Sequence, residues 1–257
     1  MNFPSRMLTL SSLLAVIGLT LQAQTPPAAG RIGDCPDAGC CWDRQLNARK
    51  NLLTAPQEQP QPLTLGVEEI KKYDYPPRWI VGQSRAELKD LGEGRYVSVD
   101  AYLIDAAWGE LNPASCNRPE PENINIRLSL VSKDDLGLKR PLWALTSVTA
   151  EVTPRARARN AQWKENLENL IYNGDRNKFL VRVKGLMLLD TGRMYSPRNR
   201  ATDWEIHPVL DIEVCMKGDC GADEVGWKKL GEVKIPKLPP HRKALTHKKR
   251  RGIVIKN

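Results

Sequence analysis

The chain has 257 residues, 39 Lys and Arg against 30 Asp and Glu, a net charge of +9 and 41% hydrophobic residues. That length allows one or two domains. Beyond one N-terminal apolar run there is no second long apolar stretch, and no nucleophile elbow, P-loop, dinucleotide fingerprint or zinc-protease motif occurs.

Residues 1–23 read as a secretory signal peptide. Arg6 supplies the positive start, Met7 to Leu21 the apolar run, and Ala23 a small residue at a cleavage point. The run is shorter than the ~20 residues that span a bilayer. The mature chain is therefore expected to be soluble and exported, periplasmic or extracellular. Residues 24–92 form a proline-rich, cysteine-containing arm, because Pro26, Pro27, Pro36, Pro56, Pro60, Pro62, Pro76 and Pro77 disfavour long helices and central strands. One short helix is predicted between Asp43 and Leu53, with Asp43 as its N-cap.

From residue 93 to 216 the pattern is that of a barrel. Val97, Val99, Ala101 and Leu103 alternate with polar residues and predict a first strand. Ile124, Ile126, Leu128 and Leu130 predict a second, with Asn125, Arg127 and Ser129 outward. A third strand is predicted from about Leu142 to Thr153, ended by Pro154. Trp163, Leu167, Leu170 and Ile171 make one helical stripe, N-capped by Asn160 and stopped by Gly174. Lys178 to Leu189 is a fourth strand, with Gly185 marking a bend or bulge. Trp204 to Val214 is the fifth. It has Trp204, Ile206, Pro208, Leu210, Ile212 and Val214 on one face and Glu205, His207, Val209, Asp211 and Glu213 on the other. Three strands, a helix, then two strands is the order of an OB-like five-stranded barrel, a mainly β fold.

Residues 217–257 read as a basic tail. From Lys228 onward eleven Lys and Arg face one acid, Glu232, so this segment carries +10 and the rest of the chain about −1. It includes Lys248, Lys249, Arg250 and Arg251. A solvated tail and a tail that binds acidic surfaces are both compatible with that composition.

Several segments resemble the signature of an uncharacterised family of secreted bacterial proteins with an OB-like domain. They are Leu46-Asn47-x-x-Lys50-Asn51, Cys116-Asn117, Glu151-Val-Thr-Pro-Arg155, Trp163, Gly185-Leu-Met-Leu-Leu-Asp190 and Trp204-Glu-Ile-His-Pro208. The resemblance covers about residues 43 to 214 and implies architecture, not an activity. It also leads one to expect a histidine near Asn125 and a Glu-His pair near Arg193–Tyr195, and this chain has neither.

Glu205 and His207 are the one histidine and carboxylate that local geometry alone places together, about 6–7 Å apart along a strand. They could be a base with its orienting partner, two ligands of an incomplete metal shell, or a surface pair. Glu151 is a further catalytic candidate. If the chain after it is extended, Arg155, Arg157 and Arg159 project to one side as an anion clamp. Glu151 with these arginines resembles the carboxylate-plus-arginine chemistry of staphylococcal-type nucleases, which share the OB topology; the rest of that signature is absent. The competing reading is a solvated loop with Glu151 paired to one arginine. Asp190, Arg200 and Asp203 flank the loop between the fourth and fifth strands, where OB-like barrels commonly bind. No cofactor and no metal are expected. The outer faces of the second and third strands carry no aromatic platform for single-stranded nucleic acid, and only Tyr96 and Tyr102 of the first strand could serve.

The six cysteines, behind an export signal, read as disulfides. Cys215 and Cys220 flank turn chemistry and are expected to pair. Cys116 should reach back to Cys35, Cys40 or Cys41, the preferred arrangement being Cys35–Cys40 with Cys41–Cys116. Adjacent Cys40 and Cys41 are poorly placed to pair with each other.

The expected function is an exported binding module for an anionic partner: an envelope component, lipid head groups or extracellular nucleic acid. The alternative is a metal-dependent phosphodiester hydrolase using Glu151, Arg155, Glu205 and His207.

Overall fold

A computed structural model describes residues 32–194, 200–216, 220 and 226–240. Five strands close on themselves: β2 (Tyr96–Trp108), β3 (Ile126–Val131), β4 (Val148–Val152), β5 (Phe179–Leu189) and β6 (Trp204–Cys215). Their order around the barrel is β2-β3-β4-β6-β5, and β5 pairs back onto β2. Four of these pairings are antiparallel, whereas β4 and β6 run parallel. Closure leaves no long free edge. Two short strands extend the sheet: β1 (Leu63–Leu65), parallel to β2, and β7 (Trp227–Lys229), antiparallel to β6. The barrel is the mainly β, five-stranded one that the strand order predicts.

Alternation builds the core. Val97, Val99, Ala101 and Leu103 of β2 meet Ile126, Leu128 and Leu130 of β3, Val148, Ala150 and Val152 of β4, and Val181 and Val183 of β5. Trp163 and the helix after it add Leu167 and Leu170 from one side. The arm contributes α1 (Arg44–Lys50), α2 (Val67–Ile70) and α3 (Ala86–Leu91), and buries Ile70, Trp79 and Leu88 against the same core. Asp43 caps α1 as predicted, its Oδ1 accepting from Leu46 N at 3.0 Å.

Two predicted elements differ. The third strand is shorter, because α4 (Leu142–Thr146) precedes β4. Within it Leu142 and Leu145, three apart, face outward while Trp143 is buried with Ile104 and Val131. The arginine segment is helical, not extended. Thr153 caps α5 (Pro154–Arg159), accepting from Ala156 N at 3.2 Å, and Pro154 fills the first helical position where no N–H is needed. α6 (Lys164–Asn173) follows and ends at Gly174, whose φ of 57° suits glycine. α6 is the helix expected between the third and fourth barrel strands, and the short α5 precedes it.

The alternation of β6 also slips at Pro208. Trp204 and Ile206 face the core, but so does Val209, while Leu210 is half-exposed. Register shifts against Lys184, Gly185 and Met187 mark bulges here. Pro208 has no N–H for the ladder, which favours a bulge. A Cβ on Gly185 would lie 2.5 Å from both Ile206 Cγ2 and the Pro208 carbonyl, so only glycine fits opposite.

Part of the expected tail is folded. Leu230 and Ile235 are fully buried. Asn166, Asn169 and Asn173 of α6 hold this segment by its backbone. Their amide nitrogens donate to the carbonyls of Leu230 and Val233, Ile235, and Pro236, and Asn166 Oδ1 accepts from Ile235 N at 2.7 Å. The barrel unit thus runs past residue 216, and residues 226–240 belong to it. The signal segment and Lys248, Lys249, Arg250 and Arg251 lie outside the described residues.

Cys215–Cys220 is bonded as expected, and Cys116 does tie the arm to the barrel. Its partner is Cys35 and not Cys41, so the preferred Cys35–Cys40 and Cys41–Cys116 pairs do not form. The turn at Pro36–Gly39 carries Cys40 onward, where its N–H donates to the Pro113 carbonyl.

Candidate functional site

The outward residues of β3, β4 and β6 form two rows across the barrel. Ser129 pairs with Thr149 and Thr149 with Glu205; Arg127 pairs with Glu151. Two residues further along the parallel pair, Glu151 stands beside His207. On a bare sheet these side chains would be solvated. Here the 109–125 loop, the Asp190–Arg193 turn and α1 fold over them, and Glu205 and His207 are each only 1% exposed.

Beneath that cover is a cleft of about 310 Å³, lined by Lys50, Asn125, Glu151, Asp190, Glu205 and His207 among others. Arg200 Nη1 donates to Glu205 Oε2 at 2.7 Å, and His207 Nδ1 lies 2.8 Å from Glu205 Oε1. Asp190 is a second hub, 3.3 Å from Arg200, 3.5 Å from Arg193 and 3.5 Å from Lys50. Asp203 adds a contact to Arg200 Nε at 3.7 Å.

Burial and charge drive the two glutamates apart. Burial works to raise Glu205, but the Arg200 guanidinium and the His207 hydrogen bond outweigh it and hold the carboxyl well below its usual range. Glu151 moves the other way: burial pushes it up and the Glu205 charge adds to the push. Burial opposes the charge of Arg200 as well, yet Glu205, Asp190 and Asp203 raise it further and keep it cationic. An ionised carboxylate only accepts, so His207 Nδ1 carries its hydrogen toward Glu205 and leaves Nε2 as the other ring atom. His207 Nε2 and Glu151 Oε2 are both sealed from solvent and have no hydrogen-bond partner among the described residues. Buried polar atoms are nearly always paired, so two orphans at one cleft mark a place for ligand atoms.

A second pocket of about 250 Å³ opens on the other side of Glu151. Arg127, Arg140, Arg193 and Arg200 converge on it, with the hydroxyls of Ser129 and Thr149. Its two acidic residues are Glu151 and Asp105, and burial pushes both upward, against Arg140 in the case of Asp105. Glu151 and Arg193 line both pockets and form the wall between them. The Arg127 side chain makes no hydrogen bond or ion pair with any described residue, although its charge acts on Asp105 and Glu151.

Comparison with protein-family models, curated proteins and solved structures finds no match for this chain.

Of the residues singled out in the sequence, Glu151, Asp190, Arg200, Asp203, Glu205 and His207 come together. Arg155 and Arg157 do not. Arg155 donates to the Cys35 carbonyl and pairs with Asp37 at 2.9 Å. Arg157 donates to the carbonyls of Pro121, Glu122 and Ile124 and lies over the Trp108 ring. Arg159 is bound to the Leu53 carbonyl. These arginines fasten the arm and the 109–125 loop to the barrel, and the anion clamp expected of them is not formed. Lys50, Arg140 and Arg193 belong to the site without having been singled out as candidates. Lys50 stands in the Leu46-Asn47-x-x-Lys50 segment, and Asn125 and Arg193, where histidine and a Glu-His pair were expected from the resemblance, both line the cleft.

Proposed function

We propose that the protein is an exported binding module that recognises an anionic group through the arginine-lined pocket. One observation carries this reading: four guanidinium groups share a pocket whose two carboxyls are pushed toward neutrality, and the Arg127 side chain among them has no ion pair with a described residue. Guanidinium forks match phosphate, sulfate and carboxylate oxygens, and charge-assisted hydrogen bonds of this kind are about twice as strong as neutral ones. The acid–base cleft next to it offers Glu151 and His207 Nε2 to a neighbouring hydroxyl or bridging oxygen of the same ligand. Two disulfides support passage through an oxidising compartment. No helix among the described residues is long and apolar enough to cross a membrane.

Calorimetric titration with pyrophosphate, a sulfated oligosaccharide and a short oligonucleotide tests the reading. Saturable binding that weakens with ionic strength is expected for at least one of them. Equal binding of uncharged analogues, or none of any anion, would sink it.

A second reading is supported by the hydrogen bond between Glu205 and His207. An ionised carboxylate that orients an imidazole, beside a glutamate held toward its neutral form, is an acid–base pair able to hydrolyse a phosphodiester. His207 Nε2 would take a proton from water and Glu151 would give one to the leaving oxygen. The metal-dependent form of this reading lacks a donor set, since no group of three His, Cys, Asp or Glu among the described residues is placed to hold an ion. Release of nitrophenol from a bis-nitrophenyl phosphate, abolished by His207→Asn, is the expected result; release that survives this change removes His207 from the chemistry.

A further inference from the structure

The two cysteines left over by the disulfides are adjacent, and their sulfurs lie 2.6 Å apart. Non-bonded heavy atoms normally meet at about 3.5–4.0 Å. The backbone imposes this approach. Cys40 N donates to the Pro113 carbonyl at 2.9 Å. Asn47 Nδ2 donates to the carbonyls of both Cys40 and Trp42, at 3.1 and 3.2 Å, and so clamps the turn on either side of Cys41. Cys41 itself has φ 66°, a left-handed conformation that few non-glycine residues adopt. From the outside, Asn117 Nδ2 approaches both sulfurs, at 3.6 and 3.9 Å. Adjacency argues against pairing at the level of sequence, yet this turn brings the sulfurs together.

We propose that Cys40 and Cys41 are a redox modification site, which closes a disulfide between neighbouring residues by exchange with a small-molecule or protein disulfide. The exposed Cys41 attacks first. Burial and the hydrogen bond it shares with Cys41 push the Cys40 thiol up to about 11, so Cys40 holds its proton. The Cys41 thiolate displaces one thiolate from the disulfide partner and becomes a mixed disulfide. Cys40 sulfur then attacks the Cys41 sulfur and displaces the second. Two electrons pass to the partner, and the two cysteine protons end on the two released thiols.

The bond so formed is reversible for a geometric reason. Consecutive Cα atoms sit about 3.8 Å apart across a trans peptide, below the roughly 4.4–6.8 Å of ordinary bridges. Bridges outside that range are the more easily reduced. The same turn leads into α1, and Trp42 and Asp43 stand at the rim of the acid–base cleft. The proposal stands on the cysteines alone and does not depend on what the cleft binds.

The test uses the whole purified protein, held with oxidised glutathione and no reductant, then blocked with iodoacetamide and digested with trypsin. The peptide Ile32–Arg44, bridged through Cys35 to the Cys116 peptide, should be lighter by two hydrogens and carry no alkyl group. Stepwise glutathione reduction should free both thiols while Cys35–Cys116 and Cys215–Cys220 stay bonded. The Cys40→Ser variant should instead take one glutathione on Cys41. Two alkylated thiols or a stable glutathione adduct in the unaltered protein, a bridge between two chains, or release only together with the other disulfides would each overturn the proposal.

Discussion

Nδ1 of His207 lies 2.8 Å from Oε1 of Glu205, and Arg200 holds the other oxygen of that carboxylate at 2.7 Å. A cation, an anion and an imidazole are thus joined by two contacts through one carboxylate beneath the loop that covers the barrel face. The contact to Glu205 holds the ring of His207 by Nδ1 and leaves Nε2 as the free ring atom at the cleft.

Glu205→Gln should destabilise the protein by about 3–5 kcal/mol, because it leaves the buried Arg200 without its closest counter-charge. Glu151→Gln should cost less than ~1 kcal/mol or be stabilising, since it replaces a buried carboxyl that has no partner on Oε2. Guanidinium unfolding of the two variants measures the difference. Equal losses would mean that the two glutamates do not sit in opposed environments.

The two glutamates also give opposite pH dependences. The folded-state value of Glu205 is depressed below the ordinary 4.5, so its contribution is complete above 4.5 and is lost as pH falls through the depressed value. That of Glu151 is raised above 4.5, so its cost is absent in acid, grows as pH rises past 4.5 and is complete above the raised value. Relative to the unaltered protein, Glu151→Gln should gain stability on the alkaline side of 4.5. Glu205→Gln should lack the acid-side loss. Parallel stability–pH curves for all three proteins would contradict both assignments.

The barrel was legible in the sequence because its strands alternate cleanly. Val97 to Leu103, Ile126 to Leu130 and Trp204 with Ile206 need only period two to be placed on the core face. The pairing of Glu205 with His207 was legible for the same reason. Their burial was not, because it comes from α1 and the 109–125 loop, which the Cys35–Cys116 bridge draws over the sheet from 81 residues away. Lys50, Arg127, Arg140 and Arg193 come from four separate segments, and only closure of the barrel brings them together. The helix at Pro154–Arg159 did have a signal, Thr153 followed by Pro154, outweighed by the regular spacing of three arginines. In the C-terminal segment the density of lysines masked Leu230 and Ile235, whose carbonyls the α6 asparagines take.

The two disulfides should differ in weight. In the chain-entropy picture, a bridge over 81 residues is worth about 4–5 kcal/mol and one over 5 residues about 2 kcal/mol. Replacing Cys35 and Cys116 by alanine should therefore lower the unfolding midpoint about twice as much as replacing Cys215 and Cys220. The first change should also loosen the cover over His207, seen as faster exchange of its backbone amide. A larger effect from the Cys215–Cys220 pair would show that the arm is not held by its bridge.

Arg127 is the most direct test of an anion-binding pocket, because it is the one pocket arginine with no ion pair among the described residues. Its removal should leave stability within about 0.5 kcal/mol. Titration of the unaltered protein and of Arg127→Ala with the tightest-binding anion, at fixed ionic strength, is the decisive measurement. The expected result is a loss of about tenfold or more in affinity, the size of one charge-assisted contact, with an unchanged unfolding midpoint. Undiminished affinity in Arg127→Ala would contradict the account.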